Sequence, residues 1–199
     1  MNKLLFTFFL SLITLLSVAG NHTGIYSYNK GLNKASATLY LNQFSEDTAF
    51  FMLEAVSGMP DFFMTDAKGF MRVTDNAGVY QRNDSCRIEF IFTPVGCSLN
   101  ENGRCNYECS TNGKYKKTSA QLKKGNSLLP AISDKNGIIA KDSVQGRSAP
   151  HRLAPATLII AKNERVQITD EFNGYYLIEL NNKKKEFLWV YKKNIQVLQ

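Results

Sequence analysis

The chain has 199 residues, with 24 Lys and Arg against 17 Asp and Glu, for a formal net charge of +7. That length suits one large domain or two small ones, and the balance of residue types is that of a globular protein rather than a disordered or fibrous one. Nine Tyr and thirteen Phe lean towards β structure, and the positive charge serves either solubility or attraction to anionic surfaces.

Met1 to Ala19 reads as a secretory leader. Lys3 supplies the positive start, Leu4 to Leu16 the apolar run, and Ser17-Val18-Ala19 the small residues before a cut at Gly20. No cysteine follows the apolar run, which argues against a bacterial lipoprotein anchor. No later stretch is long and apolar enough to span a bilayer. The expected location is therefore exported, either periplasmic or extracellular.

After the leader, residues 20–119 read as one small β domain. Ile25, Tyr26 and Tyr28 make a first strand, and Lys30-Gly31 with Asn33 turn the chain. Ala37 to Phe44 is a second strand, with Leu39 and Leu41 on one face. Ala49 to Val56 is apolar on both faces, as in a strand near a barrel's middle. A helix over Ser45–Ser57 is the competing reading, but Phe51 and Met52 spoil its face. Gly58-Met59-Pro60 breaks the run, Phe70 to Val73 is a further strand, and Asp75 to Gly78 turns into Val79-Tyr80. Turn signals every 8–12 residues or so mark an all-β barrel or sandwich.

All four cysteines fall between Gly78 and Tyr115. Cys86, Ile88, Phe90 and Phe92 alternate with Arg87, Glu89 and Ile91, the period of a half-buried strand. Thr93-Pro94 interrupts it, Val95 to Leu99 follows, and Asn102-Gly103 signals a turn. Cys105, Tyr107 and Cys109 then share a face, and Lys114 to Thr118 closes the domain. An exported chain with an even cysteine count predicts disulfides. Of three connectivities, Cys86–Cys105 with Cys97–Cys109 is favoured. Zinc is the rival, since Cys105 and Cys109 have acceptable ligand spacing. Cys86 and Cys97 are too far apart in sequence to match, and no histidine is near. A redox Cys-x-x-Cys is absent.

Residues 120–137 are rich in Lys, Ser, Asn and Gly and read as a linker. Residues 138–199 form a second domain. Ile138-Ile139-Ala140 is a short strand, and Arg147 to Pro150 is a loop. Thr157–Ala161, Glu164–Thr169, Gly174–Leu180 and Glu186–Tyr191 are strands, and Lys193-Asn194-Ile195 is one 3₁₀ turn.

This second stretch resembles bacterial SH3-type domains. Arg147, Ser148 and Pro150 match their opening Arg-Ser-x-Pro loop, and Asn163 to Ile168 match a Gly-Glu-x-Val-x-Val stretch. Gly174-Tyr175-Tyr176 and Leu188-Trp189-Val190 match two aromatic strands. Gly146 stands where an aliphatic residue is usual, and Leu188 where glycine is usual. The resemblance implies a small barrel that binds cell-wall peptide or packs on a neighbour. Its ligand groove would be formed by Tyr175, Trp189, Tyr191 and Arg147, with Tyr176 and Val190 in the core. The first domain, with its Gly-x-Tyr start, Cys-x-Ile-x-Phe-x-Phe strand and Gly-Lys-Tyr, is similar to secreted calycin-like barrels, some of which inhibit lysozyme.

Catalytic signals are thin. His22 sits at the expected mature start, where order is not expected, and His151 sits in a loop. No Gly-x-Ser-x-Gly, His-Glu-x-x-His or phosphate-cradling loop occurs, and no cofactor motif is present. Glu46-Asp47 and Asp170-Glu171 read as solvated turn pairs. Lys183-Lys184-Lys185 reads as a hairpin tip, not a nucleic-acid patch. The sequence thus points to a disulfide-pinned antiparallel β-barrel followed by an SH3-like barrel. Its expected role is non-enzymatic binding in the bacterial envelope, with cell-wall peptide or an envelope protein such as a cell-wall hydrolase as partner. An envelope hydrolase with an unrecognised carboxylate site, or a structural accessory protein, is the alternative.

Overall fold

A computed structural model describes residues 20–32, 34–60, 62–103, 105, 109–120, 135–180 and 187–198. The expected leader, most of the expected linker, the triple lysine and Tyr107 lie outside the described residues. The fold is all-β. Among the described residues there is no α-helix, only a single 3₁₀ turn at Lys192–Asn194.

The first eight strands are β1 (Gly24–Asn29), β2 (Ser36–Gln43), β3 (Thr48–Val56), β4 (Met64–Thr74), β5 (Ala77–Asn83), β6 (Cys86–Thr93), β7 (Gly96–Gly103) and β8 (Gly113–Ser119). Each pairs antiparallel with the next, and β8 returns to β1, so the sheet closes into a barrel. Closure removes both sheet edges. Alternate side chains turn inward and fill the barrel: Tyr26, Leu39, Leu41, Phe51, Leu53, Met71, Ile88 and Phe90 are all fully buried. This is a packed core, not a ligand-holding cup. His22 is ordered and buried, contrary to expectation. Its ring stacks on Phe92 at 4.2 Å, its Nε2 donates to the Asp75 carbonyl at 2.9 Å, and its own carbonyl accepts the Tyr26 hydroxyl.

The expected alternative of a helix over Ser45–Ser57 is not formed: Thr48–Val56 is strand β3 and the flanking residues are bend or irregular. Strand β4 runs unbroken through Asp66, Lys68 and Gly69, where the sequence suggested a break, and β7 extends to Asn102-Gly103 rather than turning there.

The remaining strands are β9 (Lys135–Ile139), β10 (Val144–Arg147), β11 (Ala156–Ile160), β12 (Arg165–Phe172), β13 (Tyr175–Leu180), β14 (Phe187–Tyr191) and β15 (Ile195–Val197). They form one antiparallel sheet in the order β11-β10-β14-β13-β12-β9-β15. β9 starts inside the stretch expected to be linker, and β10 and β15 are strands that the sequence did not announce. Ile139 and Ile195 from one end of the sheet share a core with Val144 and Ile160 from the other, together with Val166, Ile168, Ile178, Leu180, Leu188 and Val190. The sheet therefore curls around its own interior. Gly146 and Leu188 fit each other there: a Cβ on Gly146 would stand 2.6 Å from Leu188 Cδ1.

The barrel and the curled sheet meet through a third apolar cluster. Phe50, on the outer face of β3, packs with Leu177, Trp189, Ala149 and Ala154, flanked by Phe44, Met52, Phe70, Phe172, Tyr175 and Phe187. Trp189 stands edge-on to Phe50 at 5.6 Å, and His151 stacks on Phe44 at 5.3 Å. At the margin, Lys68 of β4 binds Asp170 of β12 at 2.5 Å.

One disulfide is present, Cys86–Cys105, with Cα atoms 4.6 Å apart. The β6–β7 register sets Cys86 opposite Gly103, which delivers the chain two residues later to Cys105. The expected Cys97–Cys109 bond is not formed, and both are free thiols. The ladders hold Cys97 opposite Phe92 and Tyr115, at the start of β7. Cys109 lies beyond the other end of that strand, its backbone N–H donating to Thr65 Oγ1 at 3.1 Å.

The disulfide closes a loop with a sequence separation of 19. Replacing Cys86 and Cys105 together by Ala should cost about 3 kcal/mol in urea unfolding, whereas Cys109→Ala should cost well under half of that. Gly146→Val alone should destabilise by about 1–3 kcal/mol through overpacking. Combined with Leu188→Ala, the loss should fall short of the sum of the single losses by about 1 kcal/mol or more, as a double-mutant cycle would read.

Candidate functional site

The curled sheet carries a cleft of about 560 Å³ lined by Lys141, Asp142, Ser143, Val144, Gln145, Arg147, Arg152, Tyr175, Tyr191 and Asn194. Its position follows from local chain geometry. Asn173 and Gly174 both have positive φ, 47° and 78°, the two-residue turn that suits a tight hairpin between β12 and β13. Tyr175 emerges directly from that turn. The β13–β14 register sets it opposite Tyr191, ring centroids 5.4 Å apart. Lys192 N–H donates to the Gly174 carbonyl at 3.0 Å, which ties the end of β14 to the turn. Lys193 Nζ lies 5.8 Å from the Tyr191 ring centre.

Arg147 forms the opposite wall. Its guanidinium donates to the Ala154 carbonyl at 2.5 Å and to Gln145 Oε1. Those bonds fix the loop between β10 and β11 while leaving a cationic edge on the cleft. Lys141 and Arg152 add two more cations, against one carboxylate, Asp142. The arrangement suits an anionic or hydrogen-bonding ligand with an apolar face to lay on two phenol rings.

Three of the four residues expected to form a groove, Tyr175, Tyr191 and Arg147, thus line one cleft. Trp189 does not. It is 3% exposed and buried against Phe50 of the barrel. The cause is strand parity: Trp189 shares its face with Leu177 and Tyr191, and the barrel covers the middle of that face. Tyr176 and Val190 point the other way, into the sheet's own core.

A second feature went unnoticed in the sequence. Glu54, on the outer face of β3, is buried, and neither of its carboxylate oxygens has a hydrogen-bond partner. Burial, with Asp66 directly opposite on β4 adding like charge, pushes it up to about 7. A single Glu in the otherwise apolar run AFFMLEAV was the available signal. Of the two expected turn pairs, Glu46 and Asp47 are exposed in a bend as read, whereas Asp170 and Glu171 lie in β12 and are paired, Asp170 with Lys68 and Glu171 with Lys192 at 2.9 Å. Burial likewise pushes the Cys97 thiol up to about 12, so it is a poor nucleophile at neutral pH. Among the described residues no group of three or more His, Cys, Asp or Glu could hold a metal ion, and no helix is long and apolar enough to cross a membrane. Compared with protein-family models, curated proteins and solved structures, the chain gives no match.

The raised Glu54 carboxyl sets a pH dependence. Its ordinary value is 4.5, and the fold holds it near 7. The fold tolerates the neutral acid better than the anion. The contribution of this group to stability is therefore full below about pH 4.5, falls as pH rises from there to about 7, and levels above. Unfolding free energies from urea titrations at pH 5 and pH 8 should differ by roughly 1–2 kcal/mol more in the parent than in Glu54→Gln, after discounting for solvent screening.

Proposed function

We propose that the protein is an exported, non-enzymatic binding protein of the bacterial cell envelope. Its second sheet acts as an SH3-type module that docks on cell-wall peptide or on an envelope protein such as a cell-wall hydrolase. The observation that carries this reading is the cleft that gathers Tyr175, Tyr191 and Arg147 with Lys141 and Arg152. Two rings and three cations are chemistry for holding a peptide with carboxylates. They are not a proton-transfer set of nucleophile and base. The leader sequence and the disulfide fit an oxidising, exported setting. A closed eight-stranded antiparallel barrel is the form that the calycin-like resemblance of the first domain implies.

The second reading is an envelope hydrolase, and the Glu54–Asp66 pair favours it. A carboxyl raised by burial, with a second carboxylate opposite it across the β3–β4 ladder, is a candidate acid–base pair for any substrate that reaches it.

Co-sedimentation of the mature protein with purified sacculi tests both readings. The parent should pellet with sacculi at low salt, and Tyr191→Ala should bind at least about five-fold more weakly with an unchanged circular dichroism spectrum. Tyr191 is the informative position because it is 42% exposed, whereas truncating Trp189 would open the interface with the barrel. No retention at low salt would sink the wall-peptide reading and leave a protein ligand. Release of soluble muropeptides that Glu54→Gln abolishes would establish the hydrolase instead.

A further inference from the structure

The curled sheet ends in a strand that is unusually bare. β11, Ala156–Ile160, pairs only with β10 among the described residues. Four of its five residues are exposed, Leu158 at 36% and Ile159 at 57%, and only Ile160 enters the core. The run ATLII has no charge, no proline and no glycine. Folded proteins protect a free strand edge with lysines, prolines, bulges or a covering segment, because its unpaired N–H and C=O groups invite another strand. The only irregularity here is a register shift between Gly146 and Arg147, at the start of the ladder.

The charges sit around this edge, not on it. Val144 pairs with Ile160, so the turn before β10 and the turn after β11 lie at one end of the pair, carrying Lys141 and Lys162. Arg147 and the loop residue Arg152 lie at the other end. Across residues 141–164 these four cations face only two carboxylates, Asp142 and Glu164. A second copy of the chain pairing antiparallel through β11 would set the Lys141–Lys162 end of one molecule against the Arg147–Arg152 end of the other. Asp142 and Glu164 also lie at the Lys141–Lys162 end, so such a pairing sets a neutral end against a cationic one, and the unbalanced charge of this edge is Arg147 with Arg152.

We propose that β11 is a docking edge for an extended, acidic peptide segment of a partner protein, which adds to the sheet as an eighth strand beside β10–β11. Main-chain hydrogen bonds along a strand of about 17 Å supply the affinity. Ile159 gives one apolar contact, and Arg147 with Arg152 at one end of the edge selects an acidic flank. The site shares Lys141, Arg147 and Arg152 with the cleft, but the main-chain edge of β11 lies beyond the wall-peptide reading and does not rest on it.

The test uses the mature protein and a synthetic nine-residue peptide of alternating Val and Thr with two aspartates at each end. The control is the same peptide N-methylated at alternate backbone positions, with identical charge and no donors along one edge. Binding is read by fluorescence anisotropy, and the site by amide hydrogen exchange. The expected result is saturable binding, slowed exchange over residues 156–160, and at least about ten-fold weaker binding of the N-methylated peptide. Ile159→Asp should weaken binding by a similar factor, and Arg152→Glu by about three-fold. Equal binding of the two peptides would overturn the proposal, since charge alone would then be responsible. Protection elsewhere would overturn it too. Concentration-dependent dimerisation that Ile159→Asp abolishes would also overturn it, by showing that a second copy covers the edge.

Discussion

The aromatic seam between barrel and curled sheet governs the rest of the molecule. Phe50, Phe70, Phe172 and Trp189 lie within 5.3–5.8 Å of one another in successive ring contacts. Each buried ring contributes on the order of 2–3 kcal/mol by removal from water, before any gain from edge-to-face geometry. The seam also shields the Lys68–Asp170 pair, whose side chains are largely covered. Most importantly, it shares a face with the cleft. Leu177 and Trp189 occupy the middle of the β13–β14 face and Tyr175 and Tyr191 its end, so the strand pair that docks the barrel also carries the two phenol rings that line the cleft. A change that loosens the seam would reach the cleft through two residues of rigid strand.

Much of the fold was legible because burial on one face writes itself as alternation. Cys86 to Phe92 and Leu39 to Leu41 read correctly for that reason. β4 read poorly because its inward positions include Thr65, Ala67 and Gly69, which carry little apolar signal. Gly69 has no side chain because Tyr80 occupies its space: a Cβ there would meet the ring at 2.3 Å. The core signal of β4 thus sits on β5, out of reach of any local pattern. β10 and β15 were missed for a related reason, being short strands defined by their partners.

The site was half legible. Adjacent aromatics on a strand must alternate, so Tyr176 and Val190 could be assigned to the core and Tyr175 and Tyr191 to the other face. Sequence could not say that a second body covers the centre of that face, and so misplaced Trp189. The cysteines follow the same logic. Cys86 and Cys105 are bonded as the sequence reading favoured, because a hairpin register brings Gly103 opposite Cys86. Cys97 looked equivalent by count, yet its strand position gives it Tyr115 as neighbour instead of a thiol. Glu54 was invisible because its cost comes from coverage, which a local pattern does not record.

The two departures from the SH3-type pattern have one spatial explanation. Glycine at 146 and leucine at 188 each look like damage when read alone. In space they touch, and the Leu188 side chain lies where any side chain of residue 146 would begin. Bulk has moved from β10 to β14 with the core volume between them kept filled. Because Leu188 points into the core while Arg147 and Trp189 pair across the ladder on the other side, the exchange leaves the cleft-facing residues where they were. The pair thus departs from the SH3-type pattern without displacing the residues that line the cleft. Arg147 and Tyr191, rather than the glycine pattern, are therefore the residues by which this cleft should be judged.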